Sequence, residues 1–352
     1  MNRFALGIIV LSVGWGSICH GQMTIRTSTG TNGLANRSFQ RAANTWGNEF
    51  HDNITVFLEF GFVTLNGGTV SSATSGRDSF LYTDFRDAVG NDVTTTDDTK
   101  MFNGLPGTPS FSIYTNQTSE APGANHEFGY LDNNAGLNNS TVSLSTANAK
   151  ALGLTDSHAS TVDGFINFNA LYDWDFDPSD GIKANHLDFF GTAMHEIGHT
   201  LGFSSGVDEL DSNGGGQFSD DELPFVSSLD FLRFSTASEE AGADLDWTAD
   251  ERDKYFSIDG GLTKSGGVDS AWSKGHNFGD GEQASHWLVG SGLGVMDPTT
   301  NFGVVSSLSD ADLLALDVIG YDRIFSAVPE PGSMLGWLFF VFCLRRHRRV
   351  TA

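Results

Sequence analysis

The sequence predicts an α+β fold, and two kinds of segment predict it. Ile54 to Leu65 and Phe165 to Leu171 are rich in β-branched and aromatic residues and read as strands. Ser38 to Phe50, Asn185 to Gly202 and Ser309 to Ile319 carry apolar residues at helical spacing. From Gln22 to Ser326 neither an internal repeat nor an interdomain linker breaks the chain, so residues 22–326 read as one domain.

The elements follow in order. Met1-Asn2-Arg3, an apolar run from Phe4 to Val13 and a small-residue stretch to Gly21 describe a signal peptide over residues 1–21. In the helix over Ser38 to Phe50, Phe39, Ala42, Ala43 and Trp46 share one face. The strand of Ile54 to Leu65 follows. Asn66 to about Ser160 is rich in Gly, Ser, Thr and Asn, which predicts short strands and long loops. After the strand of Phe165 to Leu171, the helical stretch from Asn185 ends at Gly202, a residue suited to a left-handed cap. The last helix has Asp310 and Asp312 near its start and Leu313, Leu316 and Ile319 along one face.

The C-terminal end has three parts: Val328-Pro329-Glu330-Pro331-Gly332, an apolar run from Met334 to Leu344, and the basic string Arg345, Arg346, His347, Arg348 and Arg349. The run is shorter than the roughly 20 residues that span a bilayer. The arginines would stay on the cytoplasmic side by the positive-inside rule. This order resembles the PEP-CTERM sorting tail of Gram-negative bacteria. The resemblance implies that residues 327–352 are recognised at the inner membrane by exosortase-type machinery and removed, leaving the body at the cell surface or in the extracellular matrix. A plain C-terminal anchor would also place the body outside the cytoplasm.

Composition bounds the function. Of 352 residues, 39% are hydrophobic and 12% aromatic, with 28 phenylalanines, which supplies a packed core and excludes a disordered chain. A net charge of −25 repels phosphate backbones, so nucleic acid is excluded as a partner. Cys19 and Cys343 lie in the terminal segments, so the body has no disulfide scaffold, thiolate metal site or cysteine nucleophile. Many carboxylates fall in Asp/Asn/Gly-rich loops, which leaves room for calcium. Asp173, Asp175, Asp177 and Asp180 have calcium-like spacing without the glycine and distal glutamate of an EF-hand, and read first as a solvated loop.

The chemistry concentrates in Ala193-Met194-His195-Glu196-Ile197-Gly198-His199-Thr200-Leu201-Gly202-Phe203. On a helix, residues four apart share a face, so His195 and His199 can direct imidazole nitrogens at one ion. Glu196 sits beside the first ligand, where it can reach a water on the metal without itself being a ligand. Zinc lowers the pKa of such a water to about 7, and Glu196 can take its proton and pass it to a leaving amine.

The extended string His-Glu-x-x-His-x-x-Gly-Phe resembles the metzincin clan of zinc proteases. That resemblance implies a twisted sheet with helices in the N-terminal part, the zinc helix at the cleft floor, and a loop-rich C-terminal part below. The clan places a third ligand three residues beyond the glycine, where this chain has Ser205. A catalytic zinc takes three protein ligands and a water, so a replacement is needed. Asp208 is near and carries a carboxylate, and it could instead cap its loop or join Asp211 and Asn213 around calcium. Glu240 and Asp244 match a Glu-x-x-x-Asp pattern of another zinc peptidase clan, with Gly242 between them. His286 is followed ten positions later by Met296, in Gly294-Val295-Met296-Asp297-Pro298. This last arrangement looks like the leishmanolysin branch, which implies His195, His199 and His286 as zinc ligands, Glu196 as the base and Met296 as the turn beneath the metal. His276, the nearest rival, has no such methionine after it.

These readings lead to the expectation of an exported zinc metalloendopeptidase acting on protein or peptide substrates. A catalytically inactive metzincin-like surface or biofilm-matrix protein is the alternative, which Ser205 keeps open. The same zinc chemistry would also permit hydrolysis of a non-peptide amide.

Overall fold

The computed structural model describes residues 22–28, 33–66 and 68–324, and its largest sheet has four strands. Thr24–Thr27 pairs in parallel with Thr55–Val63, which pairs in parallel with Gly164–Asn169. Ser71–Ser75 runs antiparallel to Gly164–Asn169 and forms an open edge, opposite the edge strand Thr24–Thr27. Parallel neighbours need a crossover, and the helix Gly33–Gly47 supplies the first. Its buried face is the one the spacing predicts: Phe39, Ala42, Ala43 and Trp46 are fully buried. Phe39 stacks on Phe60 at 4.2 Å between ring centroids and meets Phe168 edge-on, which fixes the helix against the sheet.

Among the described residues four smaller sheets complete the fold. Arg77–Leu81 pairs with Thr141–Ser145, Trp174–Asp175 with Leu187–Asp188, and Arg233–Phe234 with Tyr255–Phe256. Ile113–Thr115 lies between Leu245–Trp247 and Tyr130–Asp132. The molecule is thus a mixed α/β structure with several small sheets, in keeping with the α+β class. Among the described residues no helix is long and apolar enough to cross a membrane. The expected signal peptide and sorting tail lie outside the described residues.

The structure differs from the sequence reading in particular places. The first helix begins five positions earlier than expected, at Gly33, and ends at Gly47. The stretch after Asn66 is more helical than its composition suggests, with helices at Tyr82–Asn91 and Thr96–Gly104 and shorter ones at Leu137–Ser140 and Thr146–Ala151. Thr95 and Asp98 form a reciprocal capping box that starts the helix at Thr96. The apolar face of Phe85, Ala88 and Val89 is buried and stabilises Tyr82–Asn91 through packing despite weak propensity. Between Phe256 and Asp310 the described chain is loop, tied by the bridges Trp272 to Trp287 and Gly275 to Glu282. Trp272 and Trp287 stack at 4.3 Å between centroids, so this loop region has an apolar centre of its own.

Candidate metal centre

The site grows from the helix Phe189–Leu201. It starts at Phe189, not at Asn185, because Leu187–Asp188 first pairs as a short strand with Trp174–Asp175. The helix is buried along Ala193, Met194, Ile197 and Leu201, and Trp46 Nε1 donates to the Met194 carbonyl at 2.9 Å. Gly202 ends it in the left-handed region, with φ of 118°. A residue with a Cβ is strained there, and the turn folds the Phe203 carbonyl back onto His199 Nδ1 at 2.7 Å.

Three histidines converge. The Nε2 atoms of His195 and His199 are 3.0 Å apart, those of His199 and His286 are 3.1 Å apart, and those of His195 and His286 are 3.2 Å apart. Each Nδ1 faces a backbone carbonyl: Val295 for His195 at 2.8 Å, Phe203 for His199, and Gln283 for His286 at 3.1 Å. A carbonyl can only accept, so each Nδ1 carries the proton and each Nε2 presents a lone pair. Burial, reinforced by the charge of His195, pushes His199 down to about 3. Burial and the charges of both neighbours likewise hold His286 well below its ordinary value. The His199 and His286 rings are therefore neutral near neutral pH.

Three lone pairs packed this closely repel one another unless a cation sits among them. Four-coordinate zinc with ligand nitrogens at about 2.0–2.1 Å holds them roughly 3.3 Å apart, close to the spacing seen. The donor set and its tautomers thus fit a metal ion, and these histidines could hold one. Among the described residues they are the group of at least three His, Cys, Asp or Glu side chains whose donor atoms all lie within 4.8 Å of one another.

Glu196 is buried beside them. Its Oε1 accepts a hydrogen bond from Ser71 Oγ at 2.5 Å, the first residue of the open sheet edge. Burial raises its carboxyl, while the charge of His195 and the Ser71 hydrogen bond pull it back. Met296 is fully buried against the site helix. A Cβ on Gly198 would come 2.5 Å from Met296 Sδ, so the glycine opens the space the methionine fills.

The other sequence candidates lie elsewhere. Asp208 is not beside the histidines' Nε2 atoms: its oxygens accept the Ala284 N–H at 2.6 Å and the Ser285 hydroxyl. Asp211 accepts the N–H groups of Asn277 and Phe278, and Asn213 donates to the Gln117 carbonyl, so the loop role considered for this region is the one occupied. Glu240 is exposed on the short helix Thr236–Ala241, which Gly242 ends, and Asp244 accepts from Ser112. His276 is exposed, with Nδ1 against the Gly281 carbonyl. In the acidic loop, Asp175 is taken by the Asp177 N–H and by Lys183, and Asp177 caps a turn through Ser179.

Two contributors had no reading as site residues in the sequence. Ser71 reaches Glu196 across 125 positions. Asp312 gathers the Trp287 indole N–H and the Val295, Met296 and Ser309 N–H groups. The Ser309-x-x-Asp312 spacing is a visible capping signal, but the reach to Val295 and Met296 is tertiary. No known protein family, curated protein or solved structure matches this chain.

Proposed function

We propose that the chain is an exported zinc-dependent endopeptidase of the metzincin type, with His195, His199 and His286 as zinc ligands and Glu196 as general base. The observation that carries the reading is the convergence of three proton-free Nε2 atoms with a buried carboxylate on the next residue of the helix. Three protein ligands with one position left open is the pattern of catalytic zinc, whereas structural sites are closed by four. Zinc, when bound, supplies a Lewis acid that polarises a carbonyl and acidifies water.

The chain's own groups do the remaining work. Carbonyl acceptors at Val295, Phe203 and Gln283 fix the tautomers and orient the rings. Glu196 takes a proton from the attacking water and hands it to the departing amine, a task served by a carboxyl raised through burial. Ser71 holds Glu196 by one oxygen and leaves the other for that proton. The open edge at Ser71–Ser75 lies alongside the site helix, with Ser75 Oγ donating to the His199 carbonyl at 3.4 Å. An extended peptide added to this edge would run past the histidines in both directions, which favours cleavage within a chain over trimming of its ends.

The test is hydrolysis of an unfolded protein substrate by wild type and Glu196→Gln. The variant is expected to keep its zinc and lose at least about a hundredfold in rate. Full activity in Glu196→Gln would contradict the assigned base. Zinc binding without cleavage by wild type would favour the non-catalytic matrix protein.

A further inference from the structure

His286 reaches the centre from a loop 87 positions beyond His199, with no regular element beneath it. Two neighbouring residues hold that loop in place. Asp208, partly exposed on the short helix Val207–Ser212, accepts the Ala284 N–H with Oδ1 at 2.6 Å and the Ser285 hydroxyl with Oδ2. The Ser285 oxygen in turn accepts the Ser205 N–H at 2.8 Å. Ser205 and its neighbours are themselves fixed by buried Asp230. That carboxylate accepts the Ser205 hydroxyl at 2.5 Å, the Gly206 N–H at 2.9 Å, the Ser227 N–H at 2.8 Å and the Trp247 indole N–H at 3.2 Å.

We infer that Asp208 is a positioning residue for metal retention: through Ala284 and Ser285 it fixes where His286 presents Nε2. Both carboxylate oxygens are committed to the two residues immediately before His286, so Asp208 acts on the centre through the loop and ligates nothing. Ser205 serves the same end from the position the clan pattern gives to a ligand. The segment following the zinc helix therefore anchors the distant histidine that replaces it. His195 and His199 need no such brace, because one helix spaces them. The inference rests on the metal-centre reading above and assigns a role that reading leaves open.

Asparagine at position 208 can still accept the Ala284 N–H, but its amide cannot accept the Ser285 proton. Loss of a supporting hydrogen bond of this kind typically weakens metal binding by about 10–100-fold. The experiment titrates cobalt(II) into the full metal-free chain, reads the visible absorption bands of the coordinated ion, and then measures zinc competition with a chelator. Wild type, Asp208→Asn, Ser285→Ala and His286→Ala are compared, and the thermal unfolding of each is followed in chelator. Asp208→Asn and Ser285→Ala are expected to bind about 10–100-fold more weakly with shifted cobalt bands, while their metal-free unfolding stays near wild type. His286→Ala is expected to lose the bands. Wild-type affinity and spectrum in Ser285→Ala or in a folded Asp208→Asn, with the bands lost in His286→Ala, would overturn the positioning role alone. Wild-type binding by His286→Ala would overturn the metal-centre reading itself.

Discussion

At the scale of single residues, Asp312 shows how much of the centre depends on groups that touch no metal. It is fully buried, and its two oxygens accept four N–H groups: Trp287 Nε1 at 2.8 Å, Met296 at 3.3 Å, Val295 at 2.8 Å and Ser309 at 2.9 Å. One of these bonds caps the last helix, and the others pin the turn whose Val295 carbonyl orients His195. Burial raises this carboxyl, and the hydrogen bonds to it act in the opposite direction. Asp312→Ala would leave four donors without an acceptor in the interior. Each orphaned buried group costs about 1–3 kcal/mol, so a total above about 3 kcal/mol is expected. The melting temperature should fall by more than about 5 °C. A melting temperature within about 2 °C of wild type would contradict this account of the turn.

At the scale of elements, legibility tracks how local each signal is. The site helix reads well because His195, Glu196, His199 and its terminating Gly202 lie within one short string. The strand Thr55–Val63 falls within the apolar run that predicts it, Gly164–Asn169 begins one residue before its predicted run, and the last helix spans Asp310–Asp317 inside its expected range. The helices Tyr82–Asn91 and Thr96–Gly104 read poorly, since polar and glycine-rich composition outweighs a buried face of only a few residues. Their one local clue is the Thr95 to Asp98 capping pair. The meeting of His286 with the helix is set by loop packing around Trp272 and Trp287, which no periodicity encodes. Its sequence signal is the spacing to Met296, a residue that the structure seats in the gap left by Gly198. Asp208 was legible as a nearby carboxylate, but the partner of its oxygens could only be seen in three dimensions.

At the scale of the whole molecule, the charge of −25 includes carboxyls that folding forces together. Asp92 lies near Asp322, Asp52, Asp98 and Asp317, where the end of the last helix meets the loop after the first. Burial pushes Asp92 up to about 8, and those neighbouring charges add to the rise. Burial takes Asp52 and Asp317 to about 7, although hydrogen bonds from Asp322 and Arg323 respectively oppose it. An unfolded aspartate titrates near 3.9. The folded chain therefore holds protons that the unfolded chain has released, and stability falls as pH rises through about 7 to 8. His199 and His286, shifted downward, act with the opposite sign, but only below the unfolded histidine value near 6.5. Melting with chelator present should therefore drop by about 2–4 °C or more between about pH 6.5 and about pH 8.5. Asp92→Asn should flatten the slope. A flat or rising profile in wild type would contradict the shared burial of these carboxyls.

The proposed zinc centre is tested most directly by the zinc content of the full chain, compared between wild type and His286→Ala. The proposed function predicts one zinc per wild-type chain and a loss of zinc from the variant, because two histidines on one helix leave the donor set incomplete. Equal zinc in the two proteins would mean that the three converging imidazoles are not the metal site.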